Sequence, residues 1–336
     1  MTEQKVLRWG ILGAARVTER LMPAIVEAEN ARLVAIASRR PGAAAETLAK
    51  YAPDEQGVVA FDDLDSVLNH AEIDAVYLPM ANEEHTEWAI KAIEQGKHVL
   101  IEKPMALSVE DIDTIIAAAD QHQVTVMEGF MYCFHPQHDY VTDMIASGAI
   151  GDVRTVKTCF SFRMKPARLY RIERDINQGG GAMWDIGPYA IHAARKWFEG
   201  LPKSAMAMAK LNDVGADTCL SGVLDYDDGR FAHFDISFER ARRSEYEIIG
   251  TLGGIKCDTV WQNPDNAPVI HWWTDAGEQH EVALPVANHF VEEIKHFSDC
   301  VLNGKSPALS VLDARENCQV ITAALRSVQS GQKERI

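Results

Sequence analysis

The stretch Lys5-Val6-Leu7-Arg8-Trp9-Gly10-Ile11-Leu12-Gly13-Ala14-Ala15-Arg16-Val17-Thr18 decides the fold. An apolar run ends in a glycine-punctuated turn, after which Val17, Leu21, Ile25 and Ala28 recur at helical spacing. Strand, tight turn and helix is the setting a dinucleotide fingerprint requires. After Gly10, Gly13 allows the tight turn of that fingerprint, whereas its second and third glycine positions hold Ala15 and Thr18. Ala15 is small enough for the backbone to come near a pyrophosphate. A helix beginning near Ala15 would turn its free N–H groups and positive dipole end toward the phosphates. The same turn also serves in βα units that hold no ligand, so its surroundings decide.

Working outward, strands RLVAIAS, VVAF, AVYLP, KHVLIE and VTVMEG alternate with the helical patterns PGAAAETLAKY, EEHTEWAIKAIEQ and VEDIDTIIAAADQH. Repeated short β-α units predict a parallel sheet with helices on both faces. After about residue 150 the pattern changes to strands without intervening helices: TVKTCFSF, TCLSGVLDY, RFAHFDISF and YEIIGT. In the third of these, Phe234, Ile236 and Phe238 fall on one face. Asp227-Asp228-Gly229, between Tyr226 and Arg230, is a hairpin signal. One helix follows Asp185, and two more are expected at about 288–303 and 310–328. The expected fold class is α/β. An N-terminal Rossmann domain with a parallel sheet spans 1–126, and a C-terminal α+β domain with an open, mostly antiparallel sheet spans 127–336.

The 336 residues carry 33 Lys plus Arg and 49 Asp plus Glu, a net charge of −16. Such a surface repels phosphate backbones and anionic bilayers, which argues against nucleic-acid and membrane partners. MTEQKVLRWG has no apolar run before Val6, so no export signal is expected and the location is read as cytoplasmic. The six cysteines (133, 159, 219, 257, 300 and 318) make no paired zinc spacing, so they read as reduced thiols with no metal.

An NAD site places a carboxylate after the second strand to hold the ribose hydroxyls. Here Ser38-Arg39-Arg40 stands instead, and two guanidiniums suit a 2′-phosphate, so NADP is preferred over NAD. Ligands in such sheets sit beyond the carboxyl ends of the strands. Two turns there stand out: Leu78-Pro79-Met80-Ala81-Asn82-Glu83-Glu84-His85 and Glu102-Lys103-Pro104. A third segment is Gly179-Gly180-Gly181-Ala182-Met183-Trp184-Asp185-Ile186-Gly187-Pro188-Tyr189-Ala190-Ile191-His192, whose glycines would let backbone approach a ligand. On a helix, Asp185 and Tyr189 share a face and His192 lies near it. Hydride transfer at a carbinol carbon needs a group that gives or takes the hydroxyl proton. A tyrosine serves at neutral pH only if a cation lowers its pKa. Lys103 is the candidate cation, Tyr189 the acid/base, and Asp185 the group that orients substrate. The competing explanations are a loop lysine, core aromatics, and Asp185 as a helix cap. Candidate cofactor contacts are Gly10, Gly13, Ala14, Ala15, Arg16, Ser38, Arg39, Arg40, Pro79, Asn82, His85, Glu102, Lys103 and Trp184. Candidate substrate contacts are His192, Arg171 and Arg174.

With WGILGAARV, the 78–85 turn, Glu102-Lys103-Pro104, EGFMYCFHPQ at 128–137 and GGGAMWDIGPYAIH at 179–192, the chain resembles the glucose–fructose oxidoreductase, inositol dehydrogenase and rhizopine-catabolism family over nearly its whole length. The resemblance implies a catalytic lysine at Lys103 and an aspartate at Asp185. Tyr189 looks like the branch of dihydrodiol dehydrogenases, xylose dehydrogenases and sugar ketoreductases, in which the tyrosine is the proposed acid/base. It implies a sugar, cyclitol or related polyol substrate, freely exchanged NADP, and a homodimer or homotetramer formed through the C-terminal sheet. Cys133 departs from the pattern, since many relatives have arginine there. Two alternatives share the resemblance: an NAD-retaining glycoside hydrolase and a non-catalytic dinucleotide-binding regulator.

Overall fold

The computed structural model describes residues 5–261 and 267–336. Residues 1–4, part of the stretch inspected for an export signal, lie outside them. The chain divides into two compact units. One comprises the described residues through Phe134 together with Asn288–Arg315, and the other comprises His135–Ala287 with Glu316–Ile336.

The first unit holds strands β1 (Leu7–Leu12), β2 (Ala31–Ala37), β3 (Val59–Phe61), β4 (Ala75–Leu78), β5 (His98–Glu102) and β6 (Val126–Gly129). They form one sheet in the order β3-β2-β1-β4-β5-β6, and every pairing is parallel. This is the doubly wound order, with its reversal between β1 and β4. Leu33 to Ala37 and Ala75 to Leu78 are continuously buried, as strands covered on both faces must be. Helices α1 (Thr18–Glu27), α2 (Ala43–Tyr51), the single turn α3 (Asp65–Leu68), α4 (His85–Glu94) and α5 (Val109–His122) make the crossovers. Ser108 caps α5 by accepting the Asp111 N–H at 3.0 Å, and Gln123 ends the helix in a left-handed conformation.

Helices α6 (Pro136–Ala146), α7 (Ala182–Asp185), α8 (Gly187–Lys196), α9 (His289–Asn303) and α10 (Val311–Ser330) complete the set. Of these, α9 packs back on the first sheet. The Trp9 ring meets Phe297 at 5.2 Å, its Nε1–H donates to Ser298 Oγ at 3.2 Å, and the Asn30 side chain donates to the Lys295 carbonyl at 2.9 Å.

The second unit holds β7 (Val153–Ser161), β8 (Ser204–Leu211), β9 (Asp217–Asp225), β10 (Phe231–Ser237), β11 (Arg243–Gly250), β12 (Gly253–Cys257), β13 (Val269–Thr274), β14 (Gln279–Ala283) and β15 (Glu334–Arg335). Their order is β14-β13-β12-β11-β7-β10-β9-β8-β15. The pairings are antiparallel except β7 with β10. Phe234 and Ile236 alternate inward on β10 and are buried, as is Phe238 just beyond its end. Each such side chain contributes roughly 1.5–3 kcal/mol. The expected hairpin joins β9 to β10, with Asp227 and Gly229 at positive φ. On the inner face of the sheet, α8 is fastened by Thr158, whose Oγ1–H donates to the Ala190 carbonyl at 3.0 Å. Asn317 of α10 donates to the Pro188 carbonyl at 3.2 Å.

Candidate active site

In the first unit the glycine turn lies at the carboxyl end of β1, at the sheet's switch point. A Cβ on Gly10 would stand 2.6 Å from Val67 Cγ1 and 2.8 Å from Ile73 Cδ1, so packing beneath the turn demands glycine. Gly13 has φ +144° and faces Pro79, whose Cγ would be 3.4 Å from an added Cβ. The helix starts at Thr18 rather than near Ala15. Thr18 itself explains the delay: its hydroxyl donates to the Gly13 carbonyl at 2.9 Å and accepts the Ala15 N–H at 3.2 Å. A side chain thus ties the turn where the fingerprint has glycine. The first N–H groups of α1 are taken up by the turn itself, Thr18, Glu19 and Arg20 donating to the Ala15, Arg16 and Val17 carbonyls at 3.1, 3.4 and 2.9 Å, while the helix's positive end still faces the turn.

Ser38 is buried, and its Oγ accepts the Arg40 N–H at 3.2 Å. Arg40 reaches back over the turn, Nη2 donating to the Ala14 carbonyl at 2.7 Å. Arg39 instead pairs with Glu84 at 2.5 and 2.8 Å, a bond that holds its guanidinium above its ordinary pKa. Of the two arginines, Arg40 is therefore the one that lies on the turn, while Arg39 carries a carboxylate of its own.

The 78–85 and 102–104 turns are bolted together. His85 is fully buried, Nδ1 lying 2.8 Å from the Pro104 carbonyl and Nε2 3.1 Å from that of Met80. Burial holds its pKa below the usual histidine value. Its ring is thus committed to clamping two loops. Asn82 opens the short 3₁₀ turn before α4. Tyr77 donates its hydroxyl to Glu102 at 2.5 Å, and the Met105 N–H donates to Glu128 at 2.7 Å. Lys103, half-buried and in a cis peptide with Pro104, stands between these anchors. Beside Glu102 and Cys133 lies Glu293 of α9, essentially inaccessible, with Oε1 lacking any hydrogen-bond partner among the described residues. Burial, reinforced by Glu102 and Cys133, holds its carboxyl well above the usual range.

In the second unit, Asp185 ends the one-turn α7, and Tyr189 sits in α8 after a break at Ile186. The helix expected after Asp185 is α8, but Asp185 and Tyr189 lie on two separate short helices, and Asp185 does not cap α8, whose N-cap is Ile186. Its carboxylate is 5% exposed and accepts from two guanidiniums, Arg171 Nη1 and Arg168 Nη2, the latter at 3.2 Å. Arg168, from the 3₁₀ turn Pro166–Ile172, was not anticipated, since nothing in its spacing distinguishes it from surface arginines. Burial pulls the Arg171 pKa down, but Asp185, Tyr170 and Tyr189 outweigh it and leave the guanidinium more firmly charged than usual. Arg171 thus acts electrostatically on Asp185 and Tyr189 alike. Tyr189 is 7% exposed, its ring 5.8 Å from Phe160 and 6.0 Å from Trp261. Trp184 is buried with Nε1–H on the Ile176 carbonyl at 2.7 Å, and His192 is buried, whereas Arg174 is exposed.

The glycine triplet has a different use from the one expected. A Cβ on Gly180 would meet the Arg174 carbonyl at 1.9 Å, and one on Gly181, at φ +99°, would meet Asp217 Oδ1 at 1.9 Å. The close approach is to the protein's own atoms. Among the described residues no cluster of His, Cys, Asp and Glu could hold a metal ion, and no helix is long and apolar enough to cross a membrane.

A glycine turn at the switch point of a doubly wound sheet defines a Rossmann-type domain, and comparison with known families places the chain among oxidoreductases. The model of an oxidoreductase family with an NAD-binding Rossmann fold matches residues 7–130, and that of the GFO/IDH/MocA C-terminal domain matches 138–256. The chain belongs to the Gfo/Idh/MocA oxidoreductase family. An uncharacterized oxidoreductase of Rhizobium meliloti is 32% identical over 98% of this chain and 99% of its own. A D-xylose 1-dehydrogenase (NADP(+)) of Haloferax volcanii is 31% identical over 97% of this chain and 98% of its own. Among solved structures, a 3-ketoreductase from Actinomadura kijaniata in complex with NADP and TDP-benzene superposes with a TM-score of 0.88. It shares 28% identity, covering 96% of this chain and 98% of that one.

Proposed function

We propose that the protein is an NADP-dependent oxidoreductase that moves hydride between the nicotinamide and a carbinol or carbonyl carbon of a sugar, cyclitol or related polyol. The observation that carries the cofactor half is Arg40 bonded to Ala14: a cation from the end of β2, where an NAD site would place a carboxylate, lies on the glycine turn after β1. The fit is supported by Gly13 and small Ala15 at the turn and by the dipole of α1. A relative named for NADP and a neighbouring structure that contains it support the same choice. A sugar enters as the substrate class through the D-xylose 1-dehydrogenase among those relatives.

When bound, the nicotinamide supplies the hydride acceptor or donor. The chain's residues handle the rest. Tyr189 gives or takes the hydroxyl proton. Its phenol needs nearby positive charge to work at neutral pH, and Lys103 and Arg171 are the candidates. Asp185, held by Arg168 and Arg171, orients substrate hydroxyls. The apolar walls of Phe160 and Trp261 around Tyr189 exclude water from the proton transfer.

The test is thermal-shift titration with NADP and NAD, followed by a panel of pyranoses, inositols and dihydrodiols with the better cofactor. The proposal expects a larger shift with NADP and nicotinamide absorbance changes with at least one polyol. It is abandoned if NAD stabilises more, or if no polyol changes the absorbance.

A further inference from the structure

Asp217 opens β9, thirty-two residues beyond Asp185 in the chain, and its side chain is fully buried. Oδ2 accepts the Met183 N–H at 2.9 Å, and the Ala182 N–H also faces the carboxyl. These are the first amides of α7. A single turn of helix cannot sustain itself, and its N-cap, Gly181, has no side chain to offer. The missing cap comes instead from a distant strand. Gly181 is pinned from the opposite direction as well, its N–H donating to the Arg171 carbonyl at 2.8 Å. Arg171 then returns through its guanidinium to Asp185, at the far end of the same turn. The Asp185 N–H closes onto the Gly181 carbonyl at 3.3 Å. α7 therefore hangs between Asp217 and Arg171, with the Asp185 carboxylate at its end.

We propose that Asp217 is a positioning residue: by capping α7 it fixes where the Asp185 carboxylate points, and its ionisation couples that placement to pH. This rests on Asp185 belonging to the substrate site, as argued above. Asp217 Oδ1 finds no hydrogen-bond partner among the described residues, and Gly181 leaves no space beside it. Burial pushes the carboxyl up to about 7, against the pull of the Met183, Asp217 and Ala182 amides. Charged groups on the surrounding elements are otherwise engaged. Asp185 is held by Arg168 and Arg171, Asp175 accepts the Asn177 and Gln178 amides, Asp235 of β10 is bound by Arg240 and Arg243, and Lys210 of β8 is bound to Glu239. The shift is set by burial and backbone amides rather than by these charges. When protonated, the carboxyl keeps Oδ2 as an acceptor. When ionised, it leaves a buried charge beneath α7.

The experiment compares wild type, Asp217→Asn and Asp217→Ala as full chains. It reads kcat and KM with NADP and the best polyol from about pH 5.5 to about pH 9, and amide exchange of peptides spanning 179–189 by mass spectrometry. Asparagine keeps an acceptor and cannot ionise. Asp217→Asn is expected to hold kcat within about twofold of wild type at low pH and to lose the inflection near neutrality that wild type shows in exchange protection at the start of α7, whereas any inflection set by Tyr189 stays in its kcat. Asp217→Ala is expected to lower kcat about tenfold or more with the KM for NADP unchanged, and to release the amides at the start of α7 into fast exchange. The proposal is overturned if Asp217→Ala keeps both kcat and exchange protection, or if Asp217→Asn retains the neutral inflection in exchange protection at the start of α7. If Asp217→Ala does not fold, the pH dependence of exchange protection in Asp217→Asn decides alone. If wild type turns over no polyol, the reading of Asp185 fails by itself, and exchange at Met183 in Asp217→Asn against Asp217→Ala still decides the cap.

Discussion

Arg40 donates from Nη2 to the carbonyl of Ala14 across 2.7 Å, joining the end of the second strand to the glycine turn after the first. The bond holds an exposed guanidinium on the turn expected to receive a dinucleotide, while its neighbour Arg39 is paired with Glu84. Arg40→Ala should therefore weaken NADP far more than NAD. A charge-assisted contact to phosphate is worth about 1.5–3 kcal/mol, so the KM for NADP should rise roughly ten- to a hundredfold. Arg39→Ala should have the smaller effect, since its charge is already offset. Steady-state kinetics with both cofactors checks the order. Equal effects on NADP and NAD would remove the 2′-phosphate from the account.

Tyr189→Phe deletes one hydroxyl and keeps the ring against Phe160 and Trp261. Thermal stability and NADP affinity should barely change. The rate constant kcat should fall by about 10²–10⁴-fold, the usual worth of a placed acid/base. Full activity in this variant would dismiss Tyr189 from proton transfer.

Gly181→Ala places a methyl 1.9 Å from Asp217 Oδ1 at a φ of +99°. At ψ 175° this is a nearly glycine-only backbone region, where the penalty is about 1–3 kcal/mol, and overpacking adds about 1–3 kcal/mol. A melting temperature lower by on the order of 5 °C or more is expected, measured by scanning calorimetry. Gly200→Ala, also at positive φ but with open space around it, should cost only the backbone share.

Glu293 gives a stability prediction with a definite sign. Burial raises its folded-state pKa well above the unfolded value. Below the unfolded pKa the carboxyl is protonated in both states and its full contribution is present. As pH rises, the unfolded chain ionises first, and stability is lost up to the folded pKa. Glu293→Gln cannot ionise, so it should match wild type near pH 4 and surpass it in melting temperature toward pH 8. A constant difference across that range would show that Glu293 titrates alike in the folded and unfolded chains, its pKa unshifted by burial.

The sequence by itself determined the β-α rhythm of the first unit, the hairpin at Asp227-Asp228-Gly229, and the positions of the turns at Gly10, Ser38, Pro79 and Lys103. Each of these is written in local periodicity or in residues whose backbone preferences act over a few positions. That the first unit is a Rossmann fold was legible there, and that the chain is an oxidoreductase followed from the motifs that carry its family resemblance. The partners of those residues were not. Arg168 on Asp185, Asp217 beneath α7, Glu293 beside Glu102, Thr18 closing the glycine turn, and α9 packed against Trp9 are contacts between segments or side chains that local periodicity does not encode. Only the tertiary structure decided them, because hydrogen bonds and burial depend on distance in space. The same reason separates the two arginines after β2, equivalent in the sequence, into one bound to Glu84 and one lying on the turn.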